Sequence, residues 1–219
     1  MRFSVVIPTY NEGDSLQLCL DALRKQTFQG SYQVIVVDNG STVNIPEVDA
    51  ADPLVKLVKE PTPGSYSARN TGIRHAEGEI IAFTDSDCIP DAGWLESADR
   101  VLAQDKDVAL LAGRVRIFYE DARNPTAVEL FENQYSFKQD ENVKQGWAVT
   151  ANVFVRRAVI DDIGVFNTAT FSGGDSEFTR RAVEAGYQLA YSHDAAVQHP
   201  ARRTTVSYTH LTLPTKRIV

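Results

Sequence analysis

Cysteine is almost absent: Cys19 and Cys88 are the only two in 219 residues. Neither has the spacing of a zinc site or of a disulfide framework, and both read as buried thiols of a chain kept in a reducing cytosol. Long apolar runs are missing too. No stretch reaches the ~18 uninterrupted apolar residues that a membrane helix requires. The apolar segment after Met1-Arg2-Phe3-Ser4 is broken by Pro8, which makes it too short for the core of a signal peptide. There is no excess of positive charge: 29 acidic residues stand against 22 Lys and Arg, a net charge of -7. Broad attraction to nucleic acid or anionic lipid is therefore not expected, and an anionic ligand would need a metal or a few placed arginines. Internal repeats and low-complexity segments are absent. What is present is ordinary, with 43% hydrophobic and 23% charged residues in a length that suits one sizeable α/β domain. The reading is cytoplasmic, with peripheral association at the inner face of a membrane left open.

The pattern alternates strand and helix. Val5-Val6-Ile7 reads as a buried strand ending at Pro8, with Asn11-Glu12-Gly13 as the loop. Asp14 can cap the next helix with Gln17 as its partner, and Leu16, Cys19, Leu20 and Leu23 repeat at helical spacing. Val34 to Val37 is apolar at consecutive positions, as in a parallel strand covered on both faces. It stops at Asp38-Asn39-Gly40-Ser41. Strands over 54–58 and 79–84 flank a helix over 65–75. This rhythm predicts a doubly wound sheet, whose ligands gather at the carboxyl ends of the strands. Thr9 to Glu12, Asp38-Asn39 and Asp85 to Asp87 all fall at such ends. Further on, helices are expected over 94–102, 124–137 and 175–185, and a short one from Arg156. Strands are expected over 108–111, 147–155, 187–191 and 196–199. Gly186 closes the 175–185 helix.

Asp85-Ser86-Asp87 follows the strand Ile80-Ile81-Ala82-Phe83. Two carboxylates one residue apart at a strand end can converge on one hard cation such as Mg2+ or Mn2+, which needs only one or two carboxylates when a diphosphate supplies further oxygens. A solvated turn would have the same spelling. The neighbouring polar strand ends favour the ligand reading.

Five blocks in order then resemble one family. Val5-Val6-Ile7-Pro8-Thr9-Tyr10-Asn11-Glu12, Val36-Val37-Asp38-Asn39-Gly40-Ser41 and Ala68-Arg69-Asn70-Thr71-Gly72 come first. Phe83-Thr84-Asp85-Ser86-Asp87 and Gly173-Gly174-Asp175-Ser176-Glu177-Phe178 follow, the last with Arg181 and Gly186-Tyr187. Together they are similar to the signature of family 2 glycosyltransferases, and several motifs in order weigh more than any one. The resemblance implies a GT-A fold: a Rossmann-like, doubly wound, mixed but mostly parallel sheet flanked by helices. It also implies a nucleotide-sugar donor, UDP- or dTDP-linked, and inversion at the anomeric carbon. The acceptor would be a glycan or lipid-linked hydroxyl in polysaccharide, glycolipid or cell-envelope synthesis.

Carried over by position, Pro8, Thr9, Tyr10 and Glu12 line the nucleotide pocket, and Asp38 and Asn39 face base and ribose. The family more often has two aspartates at that second block. Arg69 approaches the base or diphosphate, with Asn70 and Ser86 on the same donor side. Asp85 serves ribose or metal, Asp87 serves metal, and His199 completes the metal site. Asp175 matches the catalytic base. The family usually places a glutamate before it, where this chain has Gly174, so a supporting contact is expected to differ. Trp147, Asn152 and Glu177 fall on the acceptor side. Residues 1–206 read as one domain, with a nucleotide-binding half (1–90) and an acceptor half (91–206). Residues 207–219, SYTHLTLPTKRIV, resemble translated sequencing-adapter read-through and are expected to be a non-native tail. The competing readings are a nucleotide-sugar-binding module or truncated inactive remnant, and a sugar-nucleotide pyrophosphorylase. The last is disfavoured because the opening lacks a Gly-rich phosphate loop with a lysine.

Overall fold

The computed structural model describes residues 1–43, 45, 52–170 and 172–203; the tail at 207–219 lies outside them. In chain order the elements are β1 (Phe3–Thr9), α1 (Gly13–Arg24), β2 (Tyr32–Asp38), β3 (Val55–Lys59), α2 (Ser65–His75), β4 (Ile80–Thr84), β5 (Ile89–Pro90) and α3 (Trp94–Gln104). They continue with β6 (Val108–Phe118), α4 (Ala127–Tyr135), α5 (Gln139–Lys144), β7 (Asn152–Arg156), α6 (Arg157–Ile163), α7 (Gly174–Glu184) and β8 (Gln188–Pro200). The strands form one sheet in the order β3-β2-β1-β4-β7-β6-β8-β5.

The apolar runs decide the layers. Side chains alternate across a strand, so Phe3, Val5 and Ile7 of β1 pack with Leu16, Leu20 and Leu23 of α1 and Trp94 of α3. Val6 of the same strand joins the opposite layer with Ala68 and Ile73 of α2 and Phe178 of α7. Both faces are buried, which is why β1, β2 and β4 read as unbroken apolar stretches.

β1 pairs in parallel with β2 and β4, with Thr9 opposite Asp38 and Val6 opposite Phe83. The carboxyl ends of these three strands therefore share one edge. β7 runs antiparallel to β4, with Asn152 opposite Thr84, so the turn that precedes β7 opens on the same edge.

Several expectations change. Glu12, not Asp14, occupies the cap position of α1 and makes no side-chain cap bond; the amide of Gln17 donates instead to Asp21, one turn on, at 2.8 Å. The single helix expected over 124–137 is α4 alone, started by a capping box between Thr126 and Glu129. Phe137, at φ 55, breaks the chain before α5. Only 152–155 of the expected 147–155 strand pairs, within a β7 that runs on to Arg156, and 147–151 is the turn facing the shared edge. The two short strands expected near the end are one strand, β8, whose pairing to β6 shifts register between Gly113 and Arg114. β5 was not anticipated, because two residues carry no periodicity.

Candidate active site

The shared edge opens into a cleft of about 560 Å3. Its floor comes from strand ends: Pro8, Thr9 and Tyr10 after β1, and Asp85, Ser86 and Asp87 after β4. Its far wall comes from the turn 147–151, from Asp175 at the start of α7, and from His199 near the end of β8. Glu12, Asn39 and Arg69 also line it. Residues far apart in sequence meet here because parallel strands deliver their carboxyl ends to one side.

Arg69, almost fully buried on α2, donates to Asp85 Oδ1 at 2.5 Å. Asp87 Oδ2 lies 3.5 Å from His199 Nε2. His199 Nδ1 sits 2.7 Å from the carbonyl of Pro200. A carbonyl only accepts, so Nδ1 carries a proton and donates to it, and Nε2 is the ring nitrogen that faces Asp87. Burial pushes the Asp87 carboxyl up, the adjacent His199 ring pulls it down, and the charges of Asp85 and Glu12 raise it again. Ligand atoms of Asp85, Asp87, Cys88 and His199 all lie within 4.8 Å of one another. Burial and the charges of Asp85 and Asp87 push the Cys88 thiol up, and its Sγ donates toward the carbonyl of Ala151 at 3.8 Å. Two carboxylates and an imidazole remain, a donor set that fits a hard or borderline divalent cation.

Four buried side-chain polar atoms lack a hydrogen-bond partner among the described residues. Three of them, Thr9 Oγ1, Arg69 Nε and Trp147 Nε1, belong to residues lining this cleft. Buried polar groups are otherwise almost always satisfied, so the grouping marks a ligand site. Asp175 sits in the first turn of α7, where a carboxylate suits the helix dipole. It is not the helix cap: that position is Gly173, in the left-handed region at φ 76.

Other expected site residues have structural partners. Asp38 is buried, and its Oδ1 accepts the N–H of Ser41 at 2.9 Å, closing its own turn. Asn39 lines the cleft, but its amide donates to the carbonyls of Glu60 and Thr62 and its oxygen accepts the N–H of Gly64. An aspartate could not make those two donations. Asn70 pairs both amide atoms with the backbone of Phe166 and does not line the cleft. Asn152 is a correction. It is fully buried inside the sheet, donates to the carbonyls of Arg114 and Ala195, and accepts from Trp94 Nε1. Glu177 likewise lies off the cleft, paired with Arg181 one turn on at 2.9 Å. Trp147 does line it, with the Arg180 guanidinium 5.8 Å from its ring centre.

Sequence reasoning missed Tyr66, Phe137 and Arg202 as lining residues. The Arg202 guanidinium and backbone N–H both donate to the fully buried Glu132 on α4, at 2.6 and 2.5 Å. The spacing His199-x-x-Arg202 straight after a strand was the available signal. Phe137 packs its ring on His199 at 4.5 Å between centres.

An open, mixed sheet with a carboxylate pair, an imidazole and a buried arginine at its strand ends defines a GT-A protein. Solved structures share this fold. Residues 1–349 of S. aureus TarS, in complex with UDP-GlcNAc, match at a TM-score of 0.66 and 23% identity, covering 93% of this chain and 60% of that one. The mannosyltransferase PcManGT from Pyrobaculum calidifontis, in complex with GDP-Man and Mn2+, matches at 0.67 and 23%, covering 90% and 56%. The chain belongs to glycosyl transferase family 2, whose model matches residues 4–164. It is 41% identical over 206 residues to glycosyltransferase AglE of Haloferax volcanii, covering 91% of this chain and 67% of that protein. It is 32% identical over 208 residues to the pre-mycofactocin glycosyltransferase of Mycobacterium tuberculosis, covering 91% of this chain but 43% of the relative. Asp175 and His199 lie beyond the matched 4–164 segment.

Proposed function

We propose that this chain is an inverting, metal-dependent glycosyltransferase that moves a sugar from a nucleoside-diphosphate donor to a hydroxyl of a glycan or lipid-linked acceptor. The observation that carries the reading is the single cleft in which Asp85, Asp87 and His199 cluster opposite Asp175, with Arg69 and Arg202 at its sides. Asp85, Asp87 and His199 would hold Mn2+ or Mg2+, which when bound withdraws electron density from the diphosphate and eases its departure. Arg69, tied to Asp85, opposes phosphate charge with a fixed, always-charged guanidinium, and Arg202 adds a second, oriented by Glu132. Pro8, Thr9 and Tyr10 form the nucleotide side of the cleft. Asn39 shapes that side through the 60–64 loop. Asp175 accepts the proton of the attacking hydroxyl. A carboxylate is a weak base, so the transfer comes late, as the oxygen bonds to the anomeric carbon. Residues 1–206 act as one domain, with 1–90 serving the donor and 91–206 the acceptor.

UDP-, dTDP- and GDP-linked sugars are the donor candidates, in cell-envelope or related glycan synthesis at the inner face of a membrane. No helix among the described residues is long and apolar enough to cross a membrane. The test measures nucleoside diphosphate release from a panel of these donors with Mn2+ and with excess chelator. Release that stops in chelator and returns with Mn2+ supports the reading; undiminished release in chelator removes the metal. Donor binding with no turnover under any condition leaves a nucleotide-sugar-binding module instead.

A further inference from the structure

Gly174 stands where the family usually has a glutamate, and the structure supplies a reason. Gly174 is the first residue of α7, and its N–H has no acceptor within the helix. Its cap, Gly173, has no side chain to offer. The buried N–H is satisfied from another element: it donates to the hydroxyl oxygen of Tyr66, in the first turn of α2, at 2.8 Å. The Tyr66 ring then lies directly over Gly174. A Cβ at position 174 would stand 2.7 Å from two atoms of that ring and 2.9 Å from Thr170 Oγ1. The ring cannot easily move aside. It stacks on Phe166 at 5.8 Å and 20°, and the Arg69 guanidinium sits 5.8 Å from its centre. Tyr66 and Gly174 are thus sterically and chemically matched, and any side chain at 174 would force the Tyr66 ring to shift.

We propose that Tyr66 is a positioning residue for Asp175, acting through the bond from its hydroxyl to the residue before that carboxylate. Contacts run without a gap from Asp85 to Arg69, from Arg69 to the Tyr66 ring, and from the Tyr66 hydroxyl to the residue before Asp175. The donor side of the cleft is thereby tied to its acceptor-side carboxylate through α2. The hydroxyl accepts from Gly174 and keeps one proton to donate. Burial and the charge of Asp175 push the phenol up, against a smaller opposing pull from Arg69, so that proton stays on.

The proposal rests on the transferase reading, and its test separates the two. UDP-glucose, UDP-N-acetylglucosamine and GDP-mannose are offered with Mn2+ to the parent chain and to Tyr66→Phe, which keeps the ring stack and removes only the oxygen. Nucleotide release is timed with water as acceptor. Misplacing a reacting group costs rate rather than donor affinity, so kcat should fall about tenfold or more while the donor KM stays within about twofold. An unchanged kcat, or a loss confined to KM, overturns the proposal.

A second arm needs no turnover and serves if the parent releases no nucleotide, the outcome that counts against the transferase reading alone. Gly174 does not have the positive φ that excludes side chains, and alanine is the better helix former. Gly174→Ala should therefore lower the thermal midpoint by several degrees beside Tyr66, but lower it much less, or raise it, beside Tyr66→Ala. Additive midpoint shifts in that double-mutant cycle would sink the proposed pairing.

Discussion

At the scale of single residues, the cleft sorts carboxylates by what touches them. Asp85 is held by Arg69, Asp87 faces the imidazole of His199, and Asp175 stands at the head of α7 with its own neighbour's N–H, that of Ser176, at 3.0 Å. Among the described contacts, only Asp175 of the three has neither a guanidinium nor an imidazole beside it, which suits a group that must take up a proton. Asp175→Asn keeps the shape and removes the basic oxygen. It should reduce transfer by about 10^2–10^4-fold, the usual share of a positioned base, while nucleotide binding measured by calorimetry stays unchanged. Full activity in that variant would assign the base elsewhere. Arg202 shows the opposite lesson. No local pattern gives it a partner, yet a buried carboxylate on α4 gives it one orientation toward the cleft.

At the scale of elements, the far wall of the cleft is an irregular turn held by side chains from two helices, α5 and α7, and one strand, β4. Buried Gln139 on α5 donates to the carbonyls of Val149 and Asn152 and accepts from the N–H of Val149. Thr179 of α7 accepts from the N–H of Ala148, and Thr84 of β4 donates to Ala151. Gln139→Leu has nearly the same volume but leaves those backbone groups unpaired inside the protein. The expected cost is about 1–3 kcal/mol, read by urea unfolding, and the loss should be accompanied by faster proteolysis within 147–151. A stability change under about 0.5 kcal/mol, the size of an ordinary surface substitution, would mean that the turn is held by its neighbours alone. This wall also explains why a strand expected over 147–155 begins only at Asn152. Trp147, Val149 and Ala151 are used to line a cavity, and backbone groups of Ala148, Val149 and Ala151 bond to side chains instead of to a neighbouring strand.

At the scale of the whole molecule, two layers of helices grip the sheet, and the cleft opens where the strands end. A ligand that spans the cleft touches β1, β4, β8, α2 and α7 together, so it should stabilise the fold as a unit. UDP with Mn2+ at a hundredfold excess over Kd is expected to add about 2.7 kcal/mol to the native state. Differential scanning fluorimetry would show this as a raised midpoint that falls back when chelator is added. A midpoint indifferent to nucleotide and metal would exclude the nucleotide side of the cleft as a binding site. The strand–helix order, the buried strands of the first half and the Asp-x-Asp turn were legible from the chain itself, because apolar periodicity and turn chemistry are local. The helix over 65–75 matches α2 residue for residue, since Gly64 before it and the residues after His75 mark both ends. The partners of Asn39, Asn70 and Asn152 were not legible: an amide has the same spelling whether it faces a ligand or a backbone carbonyl many residues away. The same holds for Gly174, whose meaning depends on a ring 108 residues earlier in the chain. The sequence by itself determined the class of fold and put the Asp85/Asp87 pair at the end of a buried strand. Only the tertiary structure decided which polar groups remain free to meet a ligand, because that depends on long-range contacts that no local pattern encodes.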